Sequence, residues 1–267
     1  MDKLTIVKVG GAVVEDPKQL ETLLNNFSSI PGKKLLVHGG GRRATKVAGS
    51  LGIESKMVGG RRITDAAMLE VVTMVYGGLV NKSLVAKLQA KGINALGVTG
   101  ADMDIIRSHK RPPVEVKDDE TGEKKVVDFG FVGDVDKADG ERLASLINSG
   151  ITPVVAPLTH DGMGNILNTN ADTMASTVAK ALADKFEVTL IFSFEKKGVL
   201  SNPDDDDSVI PLITREIFKM YEENGVISGG MKPKVENALS AVEKGVSRVV
   251  ITLADNIGKS DEGTVIQ

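Results

Sequence analysis

Short aliphatic and β-branched runs alternate along the chain with longer segments in which apolar residues recur every three or four positions. The short runs predict strands at 4–9, 34–38, 94–98, 152–156, 187–193 and 247–252. The longer segments predict helices near 16–29, 43–51, 65–90, 138–149, 171–184, 214–224 and 234–244. Because this alternation is typical of parallel strands joined by crossover helices, we expect an α/β fold whose mainly parallel, open central sheet is sandwiched by helices.

Two segments interrupt this pattern. Residues 110–132 hold two short β-branched runs around a polar turn at 118–122, which predicts a β-hairpin projecting from the sheet. Residues 202–208 form an acidic loop. We interpret this loop as a solvated turn rather than a metal site, because no predicted helix or strand fixes its carboxylates.

The helix predicted from Asp65 is apolar on nearly all of its faces. Its apolar residues are Met68, Leu69, Val71, Val72, Met74, Val75, Tyr76, Leu79 and Val80. A crossover helix normally keeps one face in water, so this pattern predicts burial on two sides. Two interpretations stay open, namely deep burial within the monomer and a subunit interface.

Composition narrows the classes of function. The net charge of −3, with 3% aromatic residues and no Trp, disfavours binding to nucleic acids or anionic membranes. The lack of cysteine excludes disulfides, thiolate metal sites and a cysteine nucleophile. The strand pattern starts at Leu4, which leaves no room for a signal peptide, and we expect no apolar run long enough to span a bilayer. A cytoplasmic enzyme is the expectation.

A glycine run follows each of the first two predicted strands. The runs are Gly10 and Gly11 after the first strand, and Gly39, Gly40 and Gly41 after the second. Lys8 closes the first strand, and a cation beside bare backbone is suited to bind a phosphate. Arg42 and Arg43 follow the second run in a first helical turn, where an anion would relieve their conflict with the helix dipole. We predict an anion pocket here, the alternative being a tight turn with solvated arginines.

Three further polar groups are candidates for chemistry. Gly229 and Gly230 precede a helix whose start carries Lys232 and Lys234, which repeats the cationic glycine theme. The helix predicted at 171–184 follows Asn168 and Asn170 and carries Asp172 in its first turn. Asn170 suits an N-cap and Asp172 a first-turn carboxylate, but neither role explains Asn168. Arg62 is either a surface charge or a bidentate clamp for a carboxylate.

Other signals carry little weight. The string Asp128-Phe129-Gly130 spells a protein-kinase metal motif, but no accompanying catalytic loop is present, so we interpret it as structural. No P-loop string occurs, and His38, His109 and His160 lack metal-ligand spacing. Residues 39–44 fit a loose dinucleotide fingerprint without the acidic residue that a ribose would need, so a nicotinamide oxidoreductase is a distant alternative.

Taken in order, these motifs resemble the amino acid kinase family. They are Lys8 with Gly10-Gly11, the run 38–41, the run 60–64, the run 168–172 and the run 230–234, and the match extends from residue 5 to the 263–266 end. The resemblance is specifically to the members that use ATP to phosphorylate the side-chain carboxylate of N-acetyl-L-glutamate in arginine biosynthesis. It implies two lobes, with acyl-amino-acid binding and dimerisation in residues 1–178 and nucleotide binding in residues 179–267.

The resemblance also implies roles for individual residues. Lys8 and Lys234 would neutralise the transferring phosphoryl group, and Asp172 would hold the two lysines in place. Phosphate oxygens would be bound at the glycine runs, Gly10, Gly11, Gly39, Gly40 and Gly41. The acyl amino acid would be bound by Arg62, Asn168 and Asn170. Mg²⁺ would be held mainly by nucleotide phosphates, with no dedicated metal site on the protein.

Two departures from the family pattern leave alternatives open. The turn 193–198 is one residue longer than the family's usual turn and lacks its Asp, which affects the nucleotide site. The loop 100–104 also differs, and if it lies near the acyl group, N-succinyl-L-glutamate is an alternative acceptor. The chain starts at the first strand without the extra helix of arginine-inhibited hexamers, so we expect a homodimer, built on the helix from Asp65, that arginine does not inhibit. A catalytically silent ligand-binding regulator is the alternative of a different class.

Overall fold

The computed structural model describes residues 1–117, 124–228, 231–259 and 262–267. The strands are β1 (Lys3–Val9), β2 (Lys33–His38), β3 (Met57–Val58), β4 (Arg61–Arg62), β5 (Ala95–Val98), β6 (Ile106–Lys110), β7 (Val114–Lys117), β8 (Lys124–Val127), β9 (Gly133–Ala138), β10 (Thr152–Val155), β11 (Leu158–His160), β12 (Ile166–Asn168), β13 (Glu187–Phe194), β14 (Leu212–Ile213), β15 (Arg248–Leu253) and β16 (Thr264–Ile266). The helices are α1 (Gly11–Glu15), α2 (Pro17–Ser29), α3 (Gly41–Ser50), α4 (Ala66–Val72), α5 (Asn81–Gln89), α6 (Gly140–Asn148), α7 (Ala171–Leu182), α8 (Arg215–Glu223) and α9 (Met231–Glu243). A π-helical segment, Thr73–Val80, joins α4 to α5.

The central sheet has eight strands in the order β14-β16-β15-β13-β1-β2-β10-β5. From β15 to β5 every neighbouring pair is parallel, and β16 runs antiparallel to β15 at one side. The six strands and seven helices expected from the hydrophobic pattern are all present, and the predicted fold class is confirmed. The parallel arrangement brings the carboxyl ends of β1 and β2 side by side.

Apolar layers cover both faces of the sheet, because residues of a strand alternate between its two faces. Leu4 and Ile6 of β1 belong to the layer under α7 and α9, while Val7 and Val9 belong to the layer under α2 and α3. Lys8 shares the parity of Leu4 and Ile6. Its side chain is therefore directed to the face on which α7 begins, which is how a residue of the first strand meets the Asn170–Asp172 region.

Helix α2 shows how local sequence sets the second layer. Asp16 caps the helix by accepting hydrogen bonds from the backbone N–H groups of residues 18 and 19, and Pro17 occupies the first helical position. Its buried residues recur at helical spacing and are Leu20, Leu23, Leu24 and Phe27. Each such side chain contributes roughly 1.5–3 kcal/mol when fully buried, so this stripe fixes the helix on the sheet.

A second, four-stranded sheet was not predicted. Its order is β12-β11-β6-β9, with mixed parallel and antiparallel pairs. Two of its strands have only three residues and the other two are largely polar, so none shows a buried-strand pattern of its own. This sheet places Asn168, the last residue of β12, beside the ends of the main sheet.

The projecting hairpin is confirmed as the antiparallel pair β7 and β8, while its predicted turn at 118–122 lies outside the described residues. Phe129 is buried, and Gly130 donates its backbone N–H to the Asp128 side chain. The backbone of 129–131 pairs with Thr64, so this segment is structural as expected. The acidic loop 202–208 is largely exposed, and its Asp206 and Asp207 pair with Lys196 and Lys197.

The helical stretch Ala66–Gln89 corrects one sequence expectation. Its 24 residues are long and apolar enough, by length and composition alone, to cross a membrane. The stretch lies within the helix predicted at 65–90, and polar residues interrupt it. Met68, Val71, Leu84 and Leu88 pack in the layer that covers the sheet, which is the behaviour of a core helix. Asp65 caps the helix by accepting from the backbone N–H of Met68 at 2.8 Å.

Candidate active site

The glycine loops after β1 and β2 lie against each other. A Cβ atom built on Gly11 would stand 3.5 Å from the backbone nitrogen of Gly41 and 3.6 Å from that of Gly40. Gly39 donates its backbone N–H to the carbonyl of Val9 at 2.9 Å, which ties the second loop to the end of the first strand. Several backbone N–H groups therefore gather at the amino end of α3, the arrangement that binds phosphate oxygens.

Gly40 is required by a close approach from the long helix. A Cβ on Gly40 would lie 2.8 Å from Cδ1 of Tyr76, which is a contact that real Cβ atoms do not make. Tyr76 belongs to the π-helical segment and is buried. The helix from Asp65 thus packs against the glycine loop through Tyr76, and the apolar pattern of the helix did not predict this contact.

His38 fixes the same loop from the sheet side. Its Nδ1 donates to the carbonyl of Gly39 at 2.8 Å, and its Nε2 accepts from the side-chain amide of Asn81 at 3.1 Å. Burial lowers the pKa of His38 to about 4, so the ring is neutral at physiological pH. We infer that His38 holds the conformation of the glycine loop and takes no part in proton transfer.

Lys8 and Asp172 form an ion pair of 2.7 Å between the end of β1 and the first turn of α7. Asn170 caps α7 by accepting from the backbone N–H groups of residues 172 and 173 at 2.8 and 3.0 Å. The cap and the helix dipole together hold the Asp172 carboxylate at the helix start.

Lys234, in the first turns of α9, enters the same electrostatic environment. Its Nζ lies 4.2 Å from the centre of the Phe194 ring, which is a cation–π contact. Burial and the neighbouring Lys8 lower the pKa of Lys234, whereas the Asp172 carboxylate acts in the opposite direction. Two lysines from opposite halves of the chain therefore converge on one carboxylate, although only Lys8 contacts it directly among the residues that the structure describes.

A cavity of about 440 Å³, here called the phosphate-side cavity, opens around these groups. It is lined by Lys8, Gly10, Gly11, Ala12, Val13, Gly41, Arg42, Asp172, Phe192, Ser193, Phe194, Glu195, Lys234, Asn237 and Ile251. Arg42 and Glu195 form an exposed ion pair of 3.2 Å across it. Glu195 and Phe194 belong to the unusual turn 193–198, so that turn is part of the cavity wall.

A second cavity of about 230 Å³, here called the acceptor cavity, lies on the other side of the glycine loops. It is lined by Gly11, Gly39, Gly40, Gly41, Met57, Gly60, Arg61, Arg62, Tyr76, Arg111, Val132, Pro157, Asn168, Thr169, Asn170, Ala171 and Thr173. Gly11 and Gly41 line both cavities. A group bound in one cavity can therefore reach a group bound in the other past the backbone of these two glycines.

The polar residues of the acceptor cavity are fixed by the protein itself. Arg62 is buried and donates through Nη2 to the carbonyl of Gly41 and to Oγ1 of Thr45, both at 2.9 Å, and through Nη1 to Ser55. The side-chain amide of Asn168 donates to Oγ1 of Thr64 at 2.9 Å. Both side chains are held in place before any ligand arrives, so the surface-charge interpretation of Arg62 is wrong.

The residues to which the family resemblance assigned roles line one or both cavities, whereas Arg43 and Lys232 of the cationic glycine motifs line neither of them, and Lys232 pairs with Glu222 instead. Gly229 and Gly230 of the third glycine motif lie outside the described residues. The loop 100–104 packs elsewhere, where Asp104 binds Arg107 and His160, and it contributes no residue to the described lining of the acceptor cavity. The expectation that this loop lies near an acyl group is therefore not supported.

Several residues of the site were missed by sequence reasoning. Tyr76 and Phe194 look like ordinary core positions in the sequence, and Glu195 looks like a turn residue. Arg111 lies just after β6 and lines the acceptor cavity, but only its pairing with Asp134 of β9 directs it there. That pairing depends on the small sheet, so no local signal could have identified Arg111.

The family model that matches is described as the amino acid kinase family, and it matches residues 3–253. The chain belongs to the amino acid kinase family. The chain is 62% identical to an acetylglutamate kinase from Bacteroides thetaiotaomicron over 100% of its own length and 99% of the relative's. It is 63% identical to an acetylglutamate kinase from Phocaeicola vulgatus with the same coverage.

Solved structures show the same fold for this member of the family. One is a carbamate kinase from Giardia lamblia bound to AMP-PNP, with a TM-score of 0.67, 15% identity and coverage of 99% of this chain and 98% of that chain. At this identity the similarity concerns the fold alone. The comparison therefore confirms the fold and carries no argument about the site.

Proposed function

We propose that this protein catalyses the ATP-dependent phosphorylation of the side-chain carboxylate of N-acetyl-L-glutamate, giving an acyl phosphate in arginine biosynthesis. The main observation behind this proposal is that the phosphate-side cavity, which Lys8 lines, and the acceptor cavity adjoin each other at Gly11 and Gly41. High identity over full length to relatives named acetylglutamate kinase supports the same acceptor.

The proposed reaction is a direct transfer. A carboxylate oxygen of the acceptor attacks the γ-phosphorus, the bond to the bridging oxygen breaks, and ADP leaves with the electron pair of that bond. Because a side-chain carboxylate is ionised near pH 7, the nucleophile needs no general base. The neutral, buried His38 is consistent with this, and catalysis is left to positioning and charge neutralisation.

Each proposed role follows from the position of the residue. Lys8 and Lys234 neutralise charge on the transferring phosphoryl group, and Asp172 orients Lys8 through their ion pair. Phosphate oxygens are bound by backbone N–H groups of the glycine loops at Gly10, Gly11, Gly40 and Gly41, while the N–H of Gly39 is donated to Val9 and ties the loops together. On the acceptor side, Arg62 clamps the α-carboxylate and Asn168 and Asn170 bind neighbouring polar groups.

Mg²⁺ is the expected partner of the nucleotide. No group of three or more metal-ligating side chains occurs among the residues that the structure describes. The described lining of the phosphate-side cavity holds two carboxylates, and Asp172 is paired with Lys8 and Glu195 with Arg42. We therefore expect the ATP phosphates to bind the ion, which would supply further charge neutralisation there, and we assign it no protein ligands.

We also propose a two-lobed organisation and a homodimer. The lobes are residues 1–178 for the acceptor and for dimerisation and residues 179–267 for the nucleotide, with the boundary inside α7. Met74 and Leu79 on the long helix are 53% and 49% exposed, which leaves an apolar face on a helix whose other side is in the core. A cytoplasmic location agrees with the use of ATP.

The dimer is tested by sedimentation of the wild type and of the double variant Met74→Glu/Leu79→Glu. We expect a dimer for the wild type and a monomer for the variant, because two buried charges would oppose association. A hexamer, or an unchanged dimer in the variant, would contradict the proposed interface. Inhibition by arginine in the same preparation would contradict the expected lack of arginine control.

The function is tested by ADP release with Mg-ATP and, in parallel, N-acetylglutamate, N-succinylglutamate or free glutamate. We expect turnover to be highest with N-acetylglutamate. A preference for N-succinylglutamate would replace the acceptor and retain the reaction. No turnover with any acceptor would instead favour a silent, ligand-binding regulator.

A further inference from the structure

Arg111 is placed in the acceptor cavity with part of its guanidinium unused. Its Nε donates to both carboxylate oxygens of Asp134 at 3.1 Å, and its Nη2 donates to one of them at 2.5 Å. Its Nη1 is buried and has no hydrogen-bond partner within the part of the chain that the structure describes. The Nη1 donors of Arg111 are thus satisfied neither by the described residues nor by open solvent.

The position of this side chain is fixed from three directions. The backbone N–H of Arg111 donates to the carbonyl of Val132 at 2.8 Å, which joins it to the segment leading into β9. The guanidinium carbon lies 5.7 Å from the centre of the buried Phe129 ring. A planar group held by a carboxylate, a ring and its own backbone is already oriented before a ligand enters.

We propose that Nη1 of Arg111 donates a hydrogen bond to the acyl carbonyl oxygen of the acceptor and thereby selects for N-acylated substrate. This inference rests on the proposed function. A buried N–H without a partner is costly, and a ligand oxygen in the cavity removes that cost. Arg62 and the glycine loops already account for the two carboxylates of an acylated glutamate, so the acyl amide is the remaining polar group.

The charge around Arg111 favours a neutral oxygen over another carboxylate. Asp134 is held ionised chiefly by the hydrogen bonds from Arg111, which lower its pKa, with smaller contributions from the positive charges of Arg111, His109 and Arg61. This carboxylate balances the charge of the Arg111 guanidinium. Of the remaining cations that face the pair, Arg61 is exposed to water and His109 pairs with Asp136. A carbonyl oxygen therefore suits Nη1 without adding uncompensated charge.

The test compares Arg111→Met with Arg107→Met. Arg107 is a matched control because it makes the same kind of pair, donating to Asp104 through Nε at 3.1 Å and Nη2 at 2.8 Å, outside the acceptor cavity. We expect Arg111→Met to raise KM for N-acetylglutamate by about 10- to 100-fold, the effect of losing a hydrogen bond from a charged donor, with kcat and KM for ATP within about threefold. Arg107→Met should leave KM for the acceptor within about twofold.

Arg111→Lys serves as a second variant because it keeps a positive charge beside Asp134. A lysine cannot bind Asp134 bidentately and donate to the acceptor at once, so the same rise in KM is expected. An unchanged KM in the two Arg111 variants, a loss confined to kcat, or an equal loss in Arg107→Met would overturn the proposal. A KM rise with N-succinylglutamate but not with N-acetylglutamate would overturn the choice of the carbonyl.

The wild type separates this inference from the proposed function. If the wild type phosphorylates neither N-acetylglutamate nor N-succinylglutamate, the proposed function is wrong and the inference about Arg111 is wrong with it. If the wild type is active and the Arg111 variants bind the acceptor normally, only the inference falls.

Discussion

The phosphate-side cavity and the acceptor cavity are built from different kinds of interaction. Around the first, charged side chains meet in ion pairs, of which Lys8–Asp172 is 13% and 26% exposed and Arg42–Glu195 is 64% and 62% exposed. Around the second, Arg62 and Asn168 are 9% and 8% exposed, and their polar atoms are held by hydrogen bonds within the protein. Within the described part of the chain, the two cavities have only Gly11 and Gly41 in common.

This difference matches the two tasks of a phosphotransferase. The phosphate side must accommodate a highly charged group whose charge moves during the reaction, which calls for cations that are preorganised around that charge, as Lys8 is by Asp172. The acceptor side must hold a small molecule at one distance and angle, which calls for rigid, buried donors. Substitutions of Lys8 and Lys234 on the phosphate side should therefore affect mainly kcat, and those on the acceptor side mainly KM for the acceptor.

The largest effect is expected at the two lysines. Lys8→Met and Lys234→Met should each lower kcat by at least about 100-fold, the scale of losing one preorganised charge stabiliser. Lys46→Met is the control, since Lys46 pairs with Glu15 on the outer side of α3 and does not line the phosphate-side cavity. Steady-state ADP release measures all three, and near-normal turnover in either lysine variant would break the comparison.

Arg62→Lys should have the next largest effect, on the acceptor side. A lysine cannot reproduce the forked contacts to Gly41 and Thr45, so KM for N-acetylglutamate should rise by about 30-fold with kcat less affected. Arg43→Lys is the matched control because Arg43 is exposed on α3 and lines neither cavity. A fall in kcat alone would show that the two cavities do not divide the work as described.

His38 tests the rigidity of the loop that separates the cavities. Its pKa in the folded protein is lowered to about 4, so the unfolded chain takes up the proton first as pH falls. The stability that the neutral ring contributes is fully present above about pH 6.5 and is lost as the pH falls toward 4. The loss in the free energy of unfolding is about 2–3 kcal/mol at pH 4.5.

The measurement is urea unfolding between pH 7 and 4.5. His38→Asn should show a pH dependence that is flatter than the wild type by this amount. Equal slopes for the wild type and His38→Asn would mean that the histidine is not held neutral by burial.

The smallest effect is expected at the exposed pair on the phosphate side. Glu195→Gln removes a negative charge from the cavity and frees Arg42, so KM for ATP should fall by about two- to fivefold at low salt. Arg42→Met should raise it by a similar factor. Both changes in KM for ATP should vanish at roughly 0.5 M salt, because exposed charges are screened. Salt-independent effects would mean that the pair is rigid like the acceptor side.

Much of the phosphate side was predictable from the chain alone. Lys8 is at a strand end, glycines follow it, and Asn170 with Asp172 forms a local helix start, so each part has a short-range signature. The acceptor side was less accessible. Arg111, Tyr76 and Thr64 act there through partners that are remote in sequence, and the small sheet that brings them together has strands too short and too polar to recognise.

The sequence by itself determined the alternation of strands and helices, the glycine loops and the family to which the chain belongs. It did so because periodicity, caps and glycine runs act within a few residues of one another. The family resemblance already implied that Asp172 holds Lys8 and Lys234. Only the tertiary structure decided that Lys8 contacts Asp172 directly, that Gly11 and Gly41 lie between two cavities, and that Arg111 enters one of them. These facts depend on packing between distant segments, and no local pattern in the chain encodes the distance between them.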